Sequence, residues 1–322
     1  MMMRVLISGA AFVFAMGLGG AVALALSPEV TQAESLMQNG KDAQAIVVLN
    51  AYLKTHTSDA RAFVDRGDAY EDLNKHVEAI ADYTSAIAVN PEYAYAYASR
   101  CQSHEMLDDH KLALDDCNKA IELDPSSAYA HRQRAWAKLG LNDIVGANAD
   151  ADEAVKLAGD NALSYGIQCR ARWFAQKYDE AATACATALQ LDPKNYQGQF
   201  YSGRLAVHAQ DWKTAESFFS KILAEDDTDI GATYWRAVAR RHLQENEGAL
   251  SDINAYVKAN PDDGDGYMLR ARIDYQLHDL AAAKADGTTA LKHYRIDNET
   301  DSITEAQQFL DDLAAGKDPN AG

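Results

Sequence analysis

Four prolines in this 322-residue chain are separated by multiples of 34 residues: Pro91, Pro125, Pro193 and Pro261. A fixed period of this length is typical of repeat proteins, in which each unit is a small helical or strand motif that stacks on its neighbours. If proline takes the thirty-second place of a unit, eight units without insertion or deletion follow one another. The predicted units are 26–59, 60–93, 94–127, 128–161, 162–195, 196–229, 230–263 and 264–297.

Two further places support this frame. The twentieth place is alanine in all eight units, from Ala45 to Ala283, and the eighth place is always alanine, glycine or cysteine. In the second unit, Phe63, Gly67 and Tyr70 lie at the spacing of one helical face. A polar turn follows, and Asn90 ends a second helical stretch because the residue before a proline leaves the α region. Each unit therefore predicts two helices that pack through small residues.

The pattern resembles the tetratricopeptide repeat family. In the second unit the resemblance is carried by Gly67, Tyr70, Ala79, Tyr83, Ala86 and Pro91. It implies an all-α fold, an α-solenoid that forms a right-handed superhelix of eight helix-turn-helix repeats. After the last unit, Ser302–Glu305 has the pattern of a capping box, and an apolar stripe predicts a capping helix within 298–316. That stripe is Ile303, Ala306, Leu310 and Leu313. We expect the tail 317–322 to be disordered.

Residues 1–25 have the features of a secretory signal. Arg4 precedes an uncharged apolar run that ends in Ala-x-Ala sites at Ala21–Ala23 and Ala23–Ala25. The alternative is an uncleaved membrane anchor, because the run is long enough to span a bilayer. We favour cleavage, since four glycines weaken the run as a helix. The protein is therefore expected to be periplasmic or secreted, with membrane contact only if the segment is retained.

Two places of the repeat vary together. The seventh is arginine in five units and the twenty-third is aspartate in the same five, whereas the other three units have neither. These places face each other in a helical hairpin, so each arginine is expected to form a bidentate ion pair. A row of arginines could also bind anions, but each charge already has a partner, which favours a structural role. The predicted pairs are Arg66–Asp82, Arg100–Asp116, Arg134–Asp150, Arg236–Asp252 and Arg270–Asp286.

The four cysteines occupy the eighth and twenty-fourth places of the third and fifth units. These places also face each other, so the spacing predicts two disulfides, Cys101–Cys117 and Cys169–Cys185. The alternative is that cysteine serves as a small buried apolar residue. The secretory signal favours disulfides, because an oxidising compartment preserves them.

The chain offers little evidence of other chemistry. Its 30 basic and 48 acidic residues give a net charge of −18, which argues against binding to nucleic acid. His104 and Glu105 resemble the start of a zinc-protease helix, but the second histidine of that motif is missing. No nucleophile and base have catalytic spacing. We therefore expect no enzyme activity, no metal site and no cofactor.

In the tetratricopeptide repeat family, the first helices of successive units line a groove that binds extended peptides or helices of partner proteins. The resemblance implies that places 2, 5, 9 and 12 of this chain face that groove, where aromatic residues and arginines form a typical binding surface. We expect the aromatic side chains to be exposed there, with packing between repeats as the alternative. The candidate residues are Tyr129, Arg132, Trp136, Arg170, Trp173, Phe200, Arg204, Tyr234, Arg241, Arg272 and Tyr275.

These residues favour a scaffold or adaptor that binds an extended peptide or a partner protein. The alternative is an accessory protein of cell-envelope polysaccharide assembly or export, because aromatic grooves also stack on sugars. The sequence leaves the partner and the oligomeric state open.

Overall fold

The computed structural model describes residues 27–320, so the predicted signal sequence lies outside the described residues. Over this range the chain forms seventeen α-helices and no strand. The helices belong to two compact units, one that ends at Gln176 and one that begins at Lys177. The predicted all-α class is confirmed.

The unit that ends at Gln176 contains nine helices: α1 Pro28–Gln38, α2 Asp42–Leu53, α3 Ala60–Glu71, α4 His76–Val89, α5 Ala94–Met106, α6 His110–Leu123, α7 Ala128–Gly140, α8 Ile144–Leu157 and α9 Ala162–Phe174. The unit that begins at Lys177 contains α10 Tyr178–Leu191, α11 Tyr196–His208, α12 Trp212–Glu225, α13 Ile230–His242, α14 Asn246–Ala259, α15 Gly264–Gln276, α16 Leu280–Asp297 and α17 Thr300–Ala314. From the second repeat to the eighth, the first helix begins at the first residue of the predicted repeat.

Within each compact unit, every helix packs against the next helix of the chain. The first helices of neighbouring repeats also contact one another, as α5 does with α7 and α13 does with α15. No helix buries its apolar face alone, so each repeat depends on its neighbours for a core. This is the packing of an α-solenoid.

The core is built from the small residues that define the repeat. The alanine at the twentieth place is fully buried in all eight repeats. At the eighth place, a Cβ atom added to Gly67 would lie 2.6 Å from the ring of Tyr83, and one added to Gly203 would lie 2.6 Å from the ring of Phe219. Glycine is needed at these two positions because a large ring of the second helix lies directly against the first helix.

The turn inside each repeat passes through one left-handed residue at the fifteenth place, with φ between 56° and 70°. Only the first of the eight is a glycine. Asparagine, aspartate, glutamine or histidine occupies the others, although these residues adopt this conformation at a cost. The left-handed residues are Gly40, Asn74, Asp108, Asn142, Gln176, Gln210, Gln244 and His278.

All five arginine–aspartate pairs are present. In each, Nε and Nη2 of the arginine donate to the two carboxylate oxygens of the aspartate over 2.6–2.9 Å. In four of them the remaining nitrogen, Nη1, donates over 2.7–3.0 Å to a side-chain oxygen at the twenty-fifth place of the preceding repeat. These acceptors are Asn50, Thr84, Asn118 and Asn254. The arginine therefore joins the two helices of its own repeat and also holds the preceding repeat.

The cysteines form disulfides. Cys101 and Cys117 are joined, with their Cα atoms 5.6 Å apart. Cys169 and Cys185 are disulfide-bonded as well, so none of the four cysteines has a free thiol. The alternative role as unpaired apolar residues is excluded.

The C-terminal helix α17 packs against α16, but its start differs from the prediction. Asn298 ends α16 in a left-handed conformation, and α17 begins at Thr300 with Glu299 as its N-cap. The predicted capping box is therefore wrong, because the tight turn at Asn298 starts the helix two residues before Ser302. Ala306 of the predicted stripe is buried against the last repeat together with Phe309, which the stripe did not include, and the other stripe residues pack around them.

In the described part of the tail that was expected to be disordered, Pro319 is buried and Asn320 is half-buried, whereas Lys317 and Asp318 are exposed. Pro319 and Asn320 are held in place by hydrogen bonds with Arg272. Over residues 27–320, none of the helices combines the length and the apolar character needed to cross a membrane.

Candidate ligand-binding face

We call the side chains at places 2, 5, 9 and 12 of the first helices the first-helix face. The predicted aromatic residues of this face are half-buried rather than fully exposed, whereas Tyr95, which also lies on the face at place 2, is exposed. The reason is visible at Trp136, which packs against the apolar cores of two repeats while the guanidinium of Arg170 lies 3.8 Å from its ring centre. Trp173 is half-buried too. Packing between repeats therefore accounts for much of the aromatic surface.

Arg132 is the most deeply buried of the predicted arginines, with 8% of its surface exposed. Its guanidinium lies 5.2 Å from the ring centre of Tyr129, and burial lowers its pKa. The Tyr129 hydroxyl donates to Gln102 over 2.9 Å, and the Tyr129 ring stacks on Tyr95. Arg132 and Tyr129 thus form a cation–π contact inside the unit that ends at Gln176.

The acidic residues of this unit's face are used internally. Glu34 accepts from Arg61 over 2.5 Å, and Asp68 accepts from the hydroxyls of Tyr83 and Tyr95. Glu71 and Glu105 each have a carboxylate oxygen within 3.2 Å of Nδ1 of the histidine five residues later, at the start of the next helix. Burial raises the pKa of Asp68 to about 7. These carboxylates therefore stabilise contacts within and between repeats, and part of the negative charge of Asp68 is absent at neutral pH.

In the unit that begins at Lys177, the predicted aromatic residues Phe200 and Tyr234 contact other aromatic rings. Phe200 is half-buried and packs against the core, with its ring edge against Phe219 at 5.8 Å between ring centres. Tyr234 is half-buried and contacts Trp235 edge to face. Trp235, which the sequence analysis missed, lies under the guanidinium of Arg204 at 3.9 Å. Trp235 is at place 6, just outside the places considered for the face.

Arg241 lies on the first-helix face without a carboxylate partner among residues 27–320. Its guanidinium donates one hydrogen bond, from Nη2 to Nε2 of His242 over 2.9 Å, while its Nε is buried with no acceptor. Burial and the charge of nearby Arg272 lower the pKa of Arg241. The ring of His242 stacks on Trp212 at 3.8 Å, and burial and the two arginines lower its pKa to about 4.

Arg272 is the next arginine along the same face, on α15. Its Nη2 donates to Glu305 of α17 over 2.5 Å, and Nη1 donates to the Asn320 side chain over 3.2 Å. Tyr275, one turn further along α15, is half-buried against the terminal core. Arg204, Arg241 and Arg272 occupy three successive first helices, α11, α13 and α15. This row is positively charged and has apolar rings beside it, which suits recognition of a carboxylate next to apolar groups.

Metal chemistry has no visible basis in the described range. Residues 27–320 contain no group of three or more histidine, cysteine, aspartate or glutamate side chains arranged to hold a metal ion.

A sequence model of the tetratricopeptide repeat family matches residues 30–88, 64–128 and 168–230, which together cover half of the chain. The chain belongs to the tetratricopeptide repeat family. Proteins with this fold are generally non-catalytic scaffolds that mediate protein–protein interactions. No protein of established function matches the sequence significantly.

Solved structures share the fold at low identity. A chain of the APC/C hetero-tetramer Cut9-Hcn1 is 16% identical, with a TM-score of 0.68 over 75% of this protein and 48% of that chain. This protein therefore spans about half the length of that relative. A tetratricopeptide repeat protein from Parabacteroides merdae is 15% identical, with a TM-score of 0.54 over 77% and 98% of the two chains. PilF from Pseudomonas aeruginosa is 16% identical, with a TM-score of 0.53 over 65% and 95%.

Proposed function

We propose that the protein is a non-catalytic scaffold or adaptor, periplasmic or secreted, that binds an extended acidic segment of a partner protein on its first-helix face. The family generally supports protein binding. The net charge of −18 means that an acidic segment must be recognised locally, by arginines that stand out from an acidic surface.

The observation that carries this proposal is the state of Arg241. The five structural arginines each have an aspartate, whereas the guanidinium of Arg241 donates only to a neutral histidine nitrogen. Burial disfavours the charged form of Arg241, and so does repulsion from neighbouring Arg272, which itself pairs with Glu305. A carboxylate placed between them would accept charge-assisted hydrogen bonds and relieve this repulsion. Tyr234 lies close enough to influence Arg241 electrostatically and offers apolar surface beside it.

The predicted compartment is supported by two independent features. All four cysteines are disulfide-bonded, which is typical of an oxidising compartment, and Arg4 is followed by an uncharged apolar run.

Glycan binding is the weaker alternative. Sugar rings stack on open aromatic faces, but Trp136 and Trp235 each carry a guanidinium within 4 Å of the ring centre. That guanidinium occupies a face on which a sugar would lie. A peptide carboxylate can bind at an arginine edge without displacing these stacks.

The test measures binding of a fluorescent peptide of alternating glutamate and leucine, six residues long, with the glutamine–leucine peptide as its neutral counterpart. Arg241→Gln should weaken binding of the glutamate peptide about tenfold to hundredfold, since hydrogen bonds to a charged group contribute about 1.5–3 kcal/mol. Arg295→Gln is the matched control, because it removes the same charge from an exposed site on α16. Bound peptide should also raise the pKa of His242 from about 4, measured by NMR, by offsetting the neighbouring positive charges.

Equal affinity for the two peptides would show that carboxylates are not recognised. Equal losses in Arg241→Gln and Arg295→Gln would show that only net charge matters and that the first-helix face is not the site. A soluble polyuronate that displaces the peptide without affecting the His242 resonance would favour a separate glycan site.

A further inference from the structure

The last described residues form a short segment that returns to the first-helix face. After α17, Gly316 has a φ of +66° and reverses the chain, and the Lys317 amide donates to the Asp312 carbonyl over 2.9 Å. We call residues 317–320 the strap. Pro319 is buried, and Asn320 lies against α15.

The strap contacts Arg272 in the manner of a peptide ligand. Arg272 Nη1 donates to the Asn320 side-chain oxygen over 3.2 Å and reaches the Pro319 carbonyl at 3.5 Å. In return, the Asn320 side-chain nitrogen donates to the main-chain carbonyl of Arg272 over 3.2 Å. The strap thus satisfies both the guanidinium and the backbone of one face residue.

All of these strap acceptors are neutral. The one carboxylate nearby in the strap, Asp318, accepts from the Asn320 amide over 2.9 Å and makes no ion pair with Arg272. Hydrogen bonds from a guanidinium to neutral oxygens are weaker than those to a carboxylate. A ligand carboxylate would therefore compete well for Nη1, while Nη2 can keep its bond to Glu305.

The space beside the strap is already open. A cavity of about 560 Å³ lies between the strap and α17, lined by Arg272, Phe309 and Pro319 among others. The ring of Phe309 lies 5.8 Å from the Arg272 guanidinium and forms part of its floor. A peptide side chain could enter this cavity when the strap leaves, without rearrangement of the helices.

We propose that the strap is a displaceable internal ligand, which masks Arg272 in the free protein and competes with an acidic peptide for it. This inference rests on the proposed function for the identity of the competitor, but the masking itself does not. Arg241 stays available while the strap is closed, so an incoming peptide can bind there first and then displace the strap from Arg272.

The test compares the full chain with Asn320→Ala, which removes both side-chain contacts to Arg272. Gln307→Ala is the matched control, since it also removes an amide side chain near the C-terminus but does not touch Arg272. The first measurement is the rate at which phenylglyoxal modifies Arg272, followed by peptide mapping with Arg61, whose side chain is 42% exposed, as internal reference. The second is the affinity for the glutamate–leucine peptide described above.

We expect a few neutral hydrogen bonds to keep the strap closed in roughly nine molecules of ten. Asn320→Ala should open the strap and therefore raise both the modification rate of Arg272 and the peptide affinity by about tenfold. Gln307→Ala should change neither. An unchanged modification rate in Asn320→Ala would overturn the masking. A raised rate without a gain in affinity, in a protein that binds the peptide through Arg241, would overturn the competition.

The proposed function fails separately. If neither the wild type nor Asn320→Ala binds the peptide, the acidic ligand is wrong. The modification rate of Arg272 then decides on the masking alone.

Discussion

Asp150 offers the sharpest test of how the repeats are held together. Asp150 is 3% exposed and forms a bidentate ion pair with Arg134. Its carboxylate also forms an ion pair with Lys138 at 2.7 Å and a hydrogen bond with Nδ1 of His131 at 3.0 Å. Its four cationic or donor contacts hold its pKa far below the ordinary range, although burial alone would raise it. Asp150→Asn should therefore leave two half-buried cations, Arg134 and Lys138, without their counter-charge.

The magnitude follows from the rule for buried pairs. Removing one partner of a buried ion pair costs about 3–5 kcal/mol, because the remaining charge is left uncompensated. Asp152→Asn is the matched control on the same helix. Asp152 is half-exposed and pairs with Arg172 at 2.7 Å, so its loss should cost at most about 1 kcal/mol.

Repeat arrays do not always unfold in one step, so a local measurement is needed. Native-state hydrogen exchange of amides in α7 and α8 reports the free energy of opening of this repeat. A loss below about 1 kcal/mol in Asp150→Asn, or a loss equal to that of Asp152→Asn, would refute the reasoning.

The pH dependence of the opening free energy gives a second check on Asp150→Asn. The folded pKa of Asp150 is depressed, so its ionised form contributes stability above the unfolded value of about 4, and this contribution is lost as the pH falls towards the folded pKa. The gap in opening free energy between wild type and Asp150→Asn should therefore stay constant from pH 7 to about pH 4 and shrink below it. A gap that does not change between pH 5 and pH 3 would contradict the assignment.

Three other predictions concern the scaffold. Gln244→Gly should raise the stability of the unit that begins at Lys177 by about 0.5–1 kcal/mol in urea unfolding, because glycine relieves the left-handed strain at φ 61°. Gly40→Ala should destabilise its turn by a similar amount. A destabilised Gln244→Gly or a stabilised Gly40→Ala would refute the strain argument. Gly67→Ala should lower the free energy of unfolding by about 1–3 kcal/mol, because the added methyl group would clash with Tyr83. Gly248→Ala should be neutral or stabilising, because its added Cβ would have only ordinary contacts at 3.4 Å. Equal effects of the two substitutions in thermal unfolding would exclude the clash. Replacing Cys101 and Cys117 together by alanine should lower stability by about 3 kcal/mol, since the bridge constrains the unfolded chain, and reducing agent should then have no further effect on amide exchange in α5 and α6.

The repeat frame could be read from the sequence because eight copies act as an internal alignment. A pair such as Arg66 and Asp82 is unconvincing alone, but five copies of the same coupling identify a contact, and the structure contains all five. The left-handed turn residue could have been found in the same way, since the fifteenth place is glycine or polar in every repeat.

The exposure of side chains on the first-helix face could not be predicted by comparing the eight repeats. Helical phase places Phe200 and Trp136 on a face, but neighbouring repeats determine which ring is covered. Trp235 was missed because Arg204 lies over it from the preceding first helix, and this contact between repeats is not periodic. The strap was missed because a short polar tail has no apolar pattern, and Asn320 is fixed by a partner 48 residues earlier in the chain.

The arginine that joins two consecutive repeats also affects how such a chain can change length. Its acceptor in the preceding repeat is the amide oxygen of an asparagine in three cases and the hydroxyl oxygen of a threonine in one. If the segment 94–127 were duplicated in tandem, Arg100 of the second copy would meet Asn118 of the first and find an equivalent acceptor. Whole-repeat duplication or loss among the clamped repeats is therefore compatible with every junction bond, so the array can grow or shorten by 34 residues without redesign of its joints.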